Sequence, residues 1–203
     1  MSEQPPTPRT ESVSYILKQL RASIGEGASV TVGGMLKLFG VRGFAVLLMV
    51  LALFNVVIFM IPGISFLFGL PMVILAMQMV FGVPTPIFPA FVRERVIQRS
   101  VLHKGLTFGI HYAEKIEPYI KPRFLALTGP VALRLHSVLA LALSVMVAVP
   151  VPFLNIPPSL GIIALSIGVM QRDGMFIATA YAIAAWSFWL YRSIGHVAQS
   201  LVT

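Results

Sequence analysis

The sequence predicts an all-α, polytopic integral membrane protein with two proline-broken helical hairpins, spanning or re-entrant, and three observations carry that prediction. Of 203 residues, 57% are hydrophobic and 11% charged, and the mean hydropathy is +0.89, far from the balance of a soluble domain. Two long apolar stretches run from Phe44 to Phe81 and from Leu135 to Met170. Each is broken by prolines, the first at Ile61-Pro62-Gly63-Ile64-Ser65 and Gly69-Leu70-Pro71, the second from Val149-Pro150-Val151-Pro152 through Pro157-Pro158. Unpaired backbone in hydrocarbon costs several kcal/mol per group, so such breaks survive only at a membrane surface or packed inside protein.

Along the chain, residues 1–11 are polar and proline-rich and read as a disordered tail. Over 12–43 two interfacial helices are expected. Val13, Ile16, Leu17, Leu20 and Ile24 recur at helical spacing with Lys18, Gln19 and Arg21 off the stripe, and Val32, Met35, Leu36 and Phe39 repeat it after Gly25-Glu26-Gly27. The first broken hairpin occupies 44–82. Its first limb, Phe44 to Ile61, has about 18 residues, just enough for a ~30 Å core. In its second limb the interior cost of Pro71 predicts a helix beginning near Gly69, too short to cross.

Residues 83–130 form a basic middle segment, carrying Arg93, Arg95, Arg99, Lys104, Lys115, Lys121 and Arg123 against Glu94, Glu114 and Glu117. Cations concentrate on the cytoplasmic side, so this segment and the amino-terminal part are both expected there. Within it, His111, Glu114 and Lys115 share one helical face, as in an interfacial helix. The second broken hairpin, 131–171, repeats the plan about 88 residues later with arms of about 15 and 13 residues, which makes it a degenerate repeat. A terminal transmembrane helix follows over 175–194, with Trp186, Trp189 and Tyr191 as an aromatic belt.

Several classes of function are disfavoured. Cysteine is absent, which removes disulfides, thiolate catalysis and Cys-ligated zinc. The only aspartate is Asp173, no two carboxylates sit in apolar sequence, and neither a phosphate loop nor a serine elbow is present. His103 and His111 lack zinc-type spacing. No catalytic residue, metal or cofactor is expected, and the chain reads as a non-enzyme. The formal net charge of +8 borders apolar runs and does not form a separate basic stripe, so membrane lipids with anionic headgroups are the expected partner and nucleic acid is not. No cleavable signal is expected, since the first apolar run starts only at Phe44.

The residues most open to a binding role lie in or beside the breaks. Helices restarting at Ser65 and Ser159 are expected to present free N–H groups and the positive end of a dipole, an anion site that suits a phosphate headgroup. Arg172 and Asp173 are the one oppositely charged pair set between two apolar arms; a turn signal at Asp173-Gly174 competes with a cavity mouth. Asn55, Gln78 and Asn155 are costly facing lipid, so they either pack against another helix or line a substrate pathway.

These breaks also carry a family resemblance. Arg42-Gly43-Phe44, Pro62-Gly63-Ile64-Ser65 with Gly69-Leu70-Pro71, Gln78 followed by Gly82, Pro122-Arg123, Pro150-x-Pro152-x-x-Asn155-x-x-Pro158, and Gly168 leading to Arg172-Asp173-Gly174 stand in an order that resembles the ExoD family of bacterial membrane proteins. The likeness covers about residues 30 to 175 and departs at Pro86-Ile87-Phe88-Pro89, where the family usually shows a tryptophan. It implies a multi-pass protein of the bacterial inner membrane tied to exopolysaccharide or envelope synthesis, with no catalytic residues to carry over. The expected role is binding or translocation of an anionic lipid carrier such as a polyprenyl phosphate. A scaffold for polysaccharide synthesis machinery, self-association included, and an ion or proton transporter are the alternatives.

Overall fold

Helices make up every extended element in the computed structural model of this chain, which describes residues 13–23, 31–34, 42–58, 64–116, 124, 127, 129–149, 151 and 153–200. They are α1 (Val13–Ser23), α2 (Arg42–Ile58), α3 (Ile64–Val80), α4 (Ala90–Arg93), α5 (Arg99–Ile116), α6 (Pro130–Ala148), α7 (Ile156–Gln171) and α8 (Gly174–Ser200). The chain divides into two compact units, one of Met1–Leu38 with Phe88–Lys121 and one of Phe39–Ile87 with Pro122–Thr203.

In the smaller unit α1 packs along α5. Both are amphipathic, as the sequence spacing predicts: Leu106 and Ile110 are buried while Lys18, Arg21, His103, Lys104 and Lys115 face outward. Gly109 lets Leu17 lie close against α5, and Lys18 pairs with Glu114, an exposed ion pair of small energetic weight. An isolated antiparallel bridge joins Thr31 to Val96, with the Val32 amide donating to the Arg95 carbonyl at 3.0 Å. The proposed tail at 1–11 and most of the second interfacial helix lie outside the described residues.

The larger unit is a bundle of α2, α3, α6, α7 and α8, and its pairing is reciprocal. The first arm of each hairpin packs on the second arm of the other, α2 on α7 and α3 on α6, while α8 lies on α7 and touches α6. Small residues make these seams. Ala52, Ala76, Ala140 and Gly161 are buried, which suits helices that gain little from hydrophobic burial against lipid and must gain from close packing. The outward faces are apolar: Val57 is 76% exposed and Leu67 66%, whereas Asn55 and Ser159 are fully buried.

Two expectations about the arms need correction. α3 begins at Ile64 and holds Pro71 in its interior, so the helix does not wait for Gly69; the lost hydrogen bond is offset by packing along α6. The arms of the second hairpin are longer than their apolar runs, with 19 residues in α6 and 16 in α7. Gly129 and Pro130 set the start of α6, proline being suited to a first helical position, and Arg134 and His136 are carried inside the helix. Two helices, Val131–Ala148 and Gly174–His196, are long and apolar enough to cross a bilayer; Arg42–Ile58, Ser65–Val80 and Ile156–Gln171 are apolar but shorter.

Candidate functional site

The corner of the second hairpin folds inward. Phe153 takes a left-handed φ of 66°, turning the chain so that Asn155 enters α7 as its cap residue with helical dihedrals and no side-chain cap. Pro157 and Pro158 then occupy the first turn, buried with Ser159. Counting donors overturns one expectation. The free amides of a helix start belong to its first positions, but Pro157 and Pro158 have no N–H, the Ile156 amide donates to the Phe153 carbonyl at 3.4 Å, and the Ser159 amide to the Asn155 carbonyl at 3.2 Å. The start of α7 keeps its dipole but offers no row of backbone donors for a phosphate.

Side chains make the site instead. Ser159 Oγ lies 2.7 Å from the Asn155 carbonyl and 3.1 Å from Asn55 Oδ1 on α2. Tyr191 on α8 places its hydroxyl 2.7 Å from the Met146 carbonyl at the end of α6 and 3.3 Å from Asn155 Oδ1. Asn55, Asn155, Ser159 and Tyr191 therefore form one polar node joining α2, α6, α7 and α8. The arrangement is neutral, since none of the four is an acid or a base at ordinary pH. Among the described residues, Asn55 Nδ2 is buried without a hydrogen-bond partner, and a buried unpaired amide costs about 1–3 kcal/mol.

Of the residues singled out from sequence, the node gathers Asn55, Asn155 and Ser159. Ser65 lies buried in the first turn of α3, and among the described residues no hydrogen bond joins it to the node. Gln78 sits near the other end of α3 and clamps the following loop, its Nε2 donating to the Ile87 carbonyl at 3.0 Å and its Oε1 accepting from the Ile87 amide at 2.7 Å. Asp173 caps α8, with Oδ1 accepting from the Met175 amide at 2.9 Å. Arg172 ends α7 in a left-handed conformation, φ 53° and ψ 38°, and the Asp173 amide closes the turn onto the Gly168 carbonyl at 3.0 Å. The turn reading of Arg172-Asp173 thus has direct structural support. Because a left-handed non-glycine residue costs roughly 1–2 kcal/mol, Arg172→Gly is expected to stabilise the protein by about 1 kcal/mol, read as a higher thermal midpoint in detergent.

Two further residues belong here that hydropathy and spacing do not single out. Tyr191 reads from the chain as part of an aromatic belt, yet its hydroxyl is a donor to the corner. His136, immediately after Leu135 at the start of an apolar arm, is 2% exposed, with Nε2 2.7 Å from the Leu127 carbonyl and Nδ1 3.1 Å from the Tyr181 hydroxyl. An ionisable side chain in an apolar helix is itself the signal that finds it. Among the described residues no group of three His, Asp or Glu side chains comes together to hold a metal.

The chain matches the family model described as "Exopolysaccharide synthesis, ExoD" over residues 13–193. It is 28% identical over 191 residues to "Protein ExoD" of Rhizobium meliloti (strain 1021), covering 92% of this chain and 79% of that protein. No solved structure gives a significant match.

Proposed function

The chain belongs to the ExoD family, and from that premise we propose that it serves exopolysaccharide synthesis as a non-catalytic, multi-pass protein of the bacterial inner membrane that binds a lipid carrier. The observation that carries this reading is the polar node, set inside a bundle whose outward faces are apolar. In a water-soluble protein that distribution is inverted; in a bilayer it places lipid outside and leaves polar groups for a ligand.

Arm lengths favour hairpins that span. At 1.5 Å per residue, arms of 16 to 19 residues measure roughly 24–28 Å, close to the hydrocarbon thickness. The corner of the second hairpin contacts Tyr191, and Arg192 follows it, exposed, as expected of a level near headgroups. At the opposite end of the same arms lie Arg42, Arg134 and Arg172, which on the positive-inside rule mark the cytoplasmic side. The node then faces the outer leaflet, with the Arg192 cation available to a carrier phosphate. A scaffold role is the second reading, favoured by Arg93, Arg95 and Lys104 exposed on and around α4 and α5.

The test is retention of a polyprenyl monophosphate by the purified protein in nanodiscs, read by native mass spectrometry against phosphatidylglycerol. Selective retention that falls about ten- to a hundredfold in Arg192→Ala is the expected result, the loss of one charge-assisted contact being worth about 1.5–3 kcal/mol. No selectivity between the two lipids would overturn the carrier reading.

A further inference from the structure

We propose that the polar node recognises a neutral saccharide hydroxyl of a glycosylated lipid, and that Asn55 is the residue that reads it. The inference rests on the carrier reading above and deepens it by naming which part of the carrier meets the corner.

The argument is a count of protons. A serine hydroxyl has one proton to donate and two lone pairs to accept with. Ser159 Oγ has two acceptors in reach, the Asn155 carbonyl at 2.7 Å and Asn55 Oδ1 at 3.1 Å, and it can serve only one. If the shorter contact takes the proton, Ser159 Oγ faces Asn55 as an acceptor. The Asn55 carboxamide then satisfies it by a half-turn that exchanges Oδ1 and Nδ2, and Oδ1 is left without a donor. If the proton goes to Asn55 instead, Nδ2 is the group left over. In both arrangements one end of a fully buried carboxamide, seated against the first turn of a 16-residue helix, is unpaired.

The two arrangements ask for opposite partners, and a ligand hydroxyl answers both. A hydroxyl donates and accepts, so it pairs with either end of the carboxamide. A phosphate dianion only accepts, so it fails whenever Oδ1 is the free end. It also finds no cation among Asn55, Asn155, Ser159 and Tyr191, and an uncompensated charge against the buried Asn55, Asn155 and Ser159 is strongly disfavoured. Prolines at 157 and 158 remove the backbone donors that would have suited it. The phosphate of the carrier therefore belongs beside the exposed Arg192 side chain, and the buried node takes sugar.

Binding of a neutral monoglycosyl diacylglycerol to the full chain in phosphatidylcholine nanodiscs, followed by native mass spectrometry, tests this. The wild type is expected to retain the glycolipid over the same diacylglycerol with its free hydroxyl acylated, and Asn55→Leu and Ser159→Ala are each expected to lower that retention about tenfold, one hydrogen bond being lost. Gln78→Leu, away from the node, is expected to leave it unchanged. Thermal midpoints measured on the same samples separate lost binding from lost folding, and Ser159→Ala keeps the helix should Asn55→Leu fail to fold. Retention equal to that of the fully acylated glycerolipid, or full retention in both node variants, overturns the proposal. Retention of polyprenyl phosphate without the glycolipid sinks the sugar assignment and leaves the carrier reading standing; retention of neither removes both.

Discussion

Gly69→Val is expected to destabilise the bundle by about 3 kcal/mol or more, the upper end of what overpacking costs, and to deplete the protein from membranes. A Cβ built on Gly69 would lie 2.5 Å from the Ala148 Cα, 2.6 Å from its backbone N and 2.9 Å from its Cβ. The first two are main-chain atoms at the end of α6, so no rotamer change relieves the clash. Shaving the neighbour with Ala148→Gly removes only the third contact and is expected to rescue little. Gly195→Ala is the matched control: among the described residues nothing lies within 4 Å of the added Cβ, and alanine in place of a helical glycine is worth up to about 1 kcal/mol in its favour. Thermal midpoints of the purified variants in one detergent decide the comparison. A Gly69→Val protein as stable as the wild type would mean that α3 and α6 do not meet at this seam.

That seam shows why only part of the architecture is legible in the chain. Local features are readable because their causes are local: the apolar stripe of α1, the polar face of α5, the proline first turn of α7 and the turn at Asp173-Gly174 all follow from neighbouring residues. Arm lengths are misjudged wherever hydropathy stands in for helix. Pro71 reads as a helix start because an isolated helix bears its full cost, whereas packing on α6 lets α3 run from Ile64. An apolar run counted from Leu135 leaves Arg134 outside the arm and His136 at its edge, yet the helix begins at Pro130 and carries both. The node depends on partners 104 and 36 residues apart, Asn55 with Ser159 and Asn155 with Tyr191, and no periodicity foretells which arm meets which. The missing amides are a different matter. Pro157 and Pro158 are in plain sight in the chain, and their absent N–H groups argue against a backbone phosphate cradle from sequence alone.

His136→Leu is expected to cost about 2–4 kcal/mol, because one side chain holds two partners that leucine cannot. The Leu127 carbonyl can only accept, so the proton of the imidazole sits on Nε2, 2.7 Å away. Nδ1 is then a lone pair, and the Tyr181 hydroxyl donates to it at 3.1 Å. The rings also meet edge to face, with centroids 5.8 Å apart at 65°, a geometry that adds some packing energy. Removing the imidazole loses two hydrogen bonds of about 0.5–1.5 kcal/mol each and leaves a part-buried carbonyl unpaired. Tyr181→Phe removes only one of those bonds and is expected to cost about 1 kcal/mol. The pair of variants tests the assignment more sharply than either alone. Once His136 is leucine, the Tyr181 hydroxyl has no imidazole to reach, so the double variant should be no less stable than His136→Leu, with a coupling of about 1 kcal/mol in a double-mutant cycle. Strict additivity would place the tyrosine proton on some other acceptor, and the tie between α6 and α8 would then rest on ring contact alone.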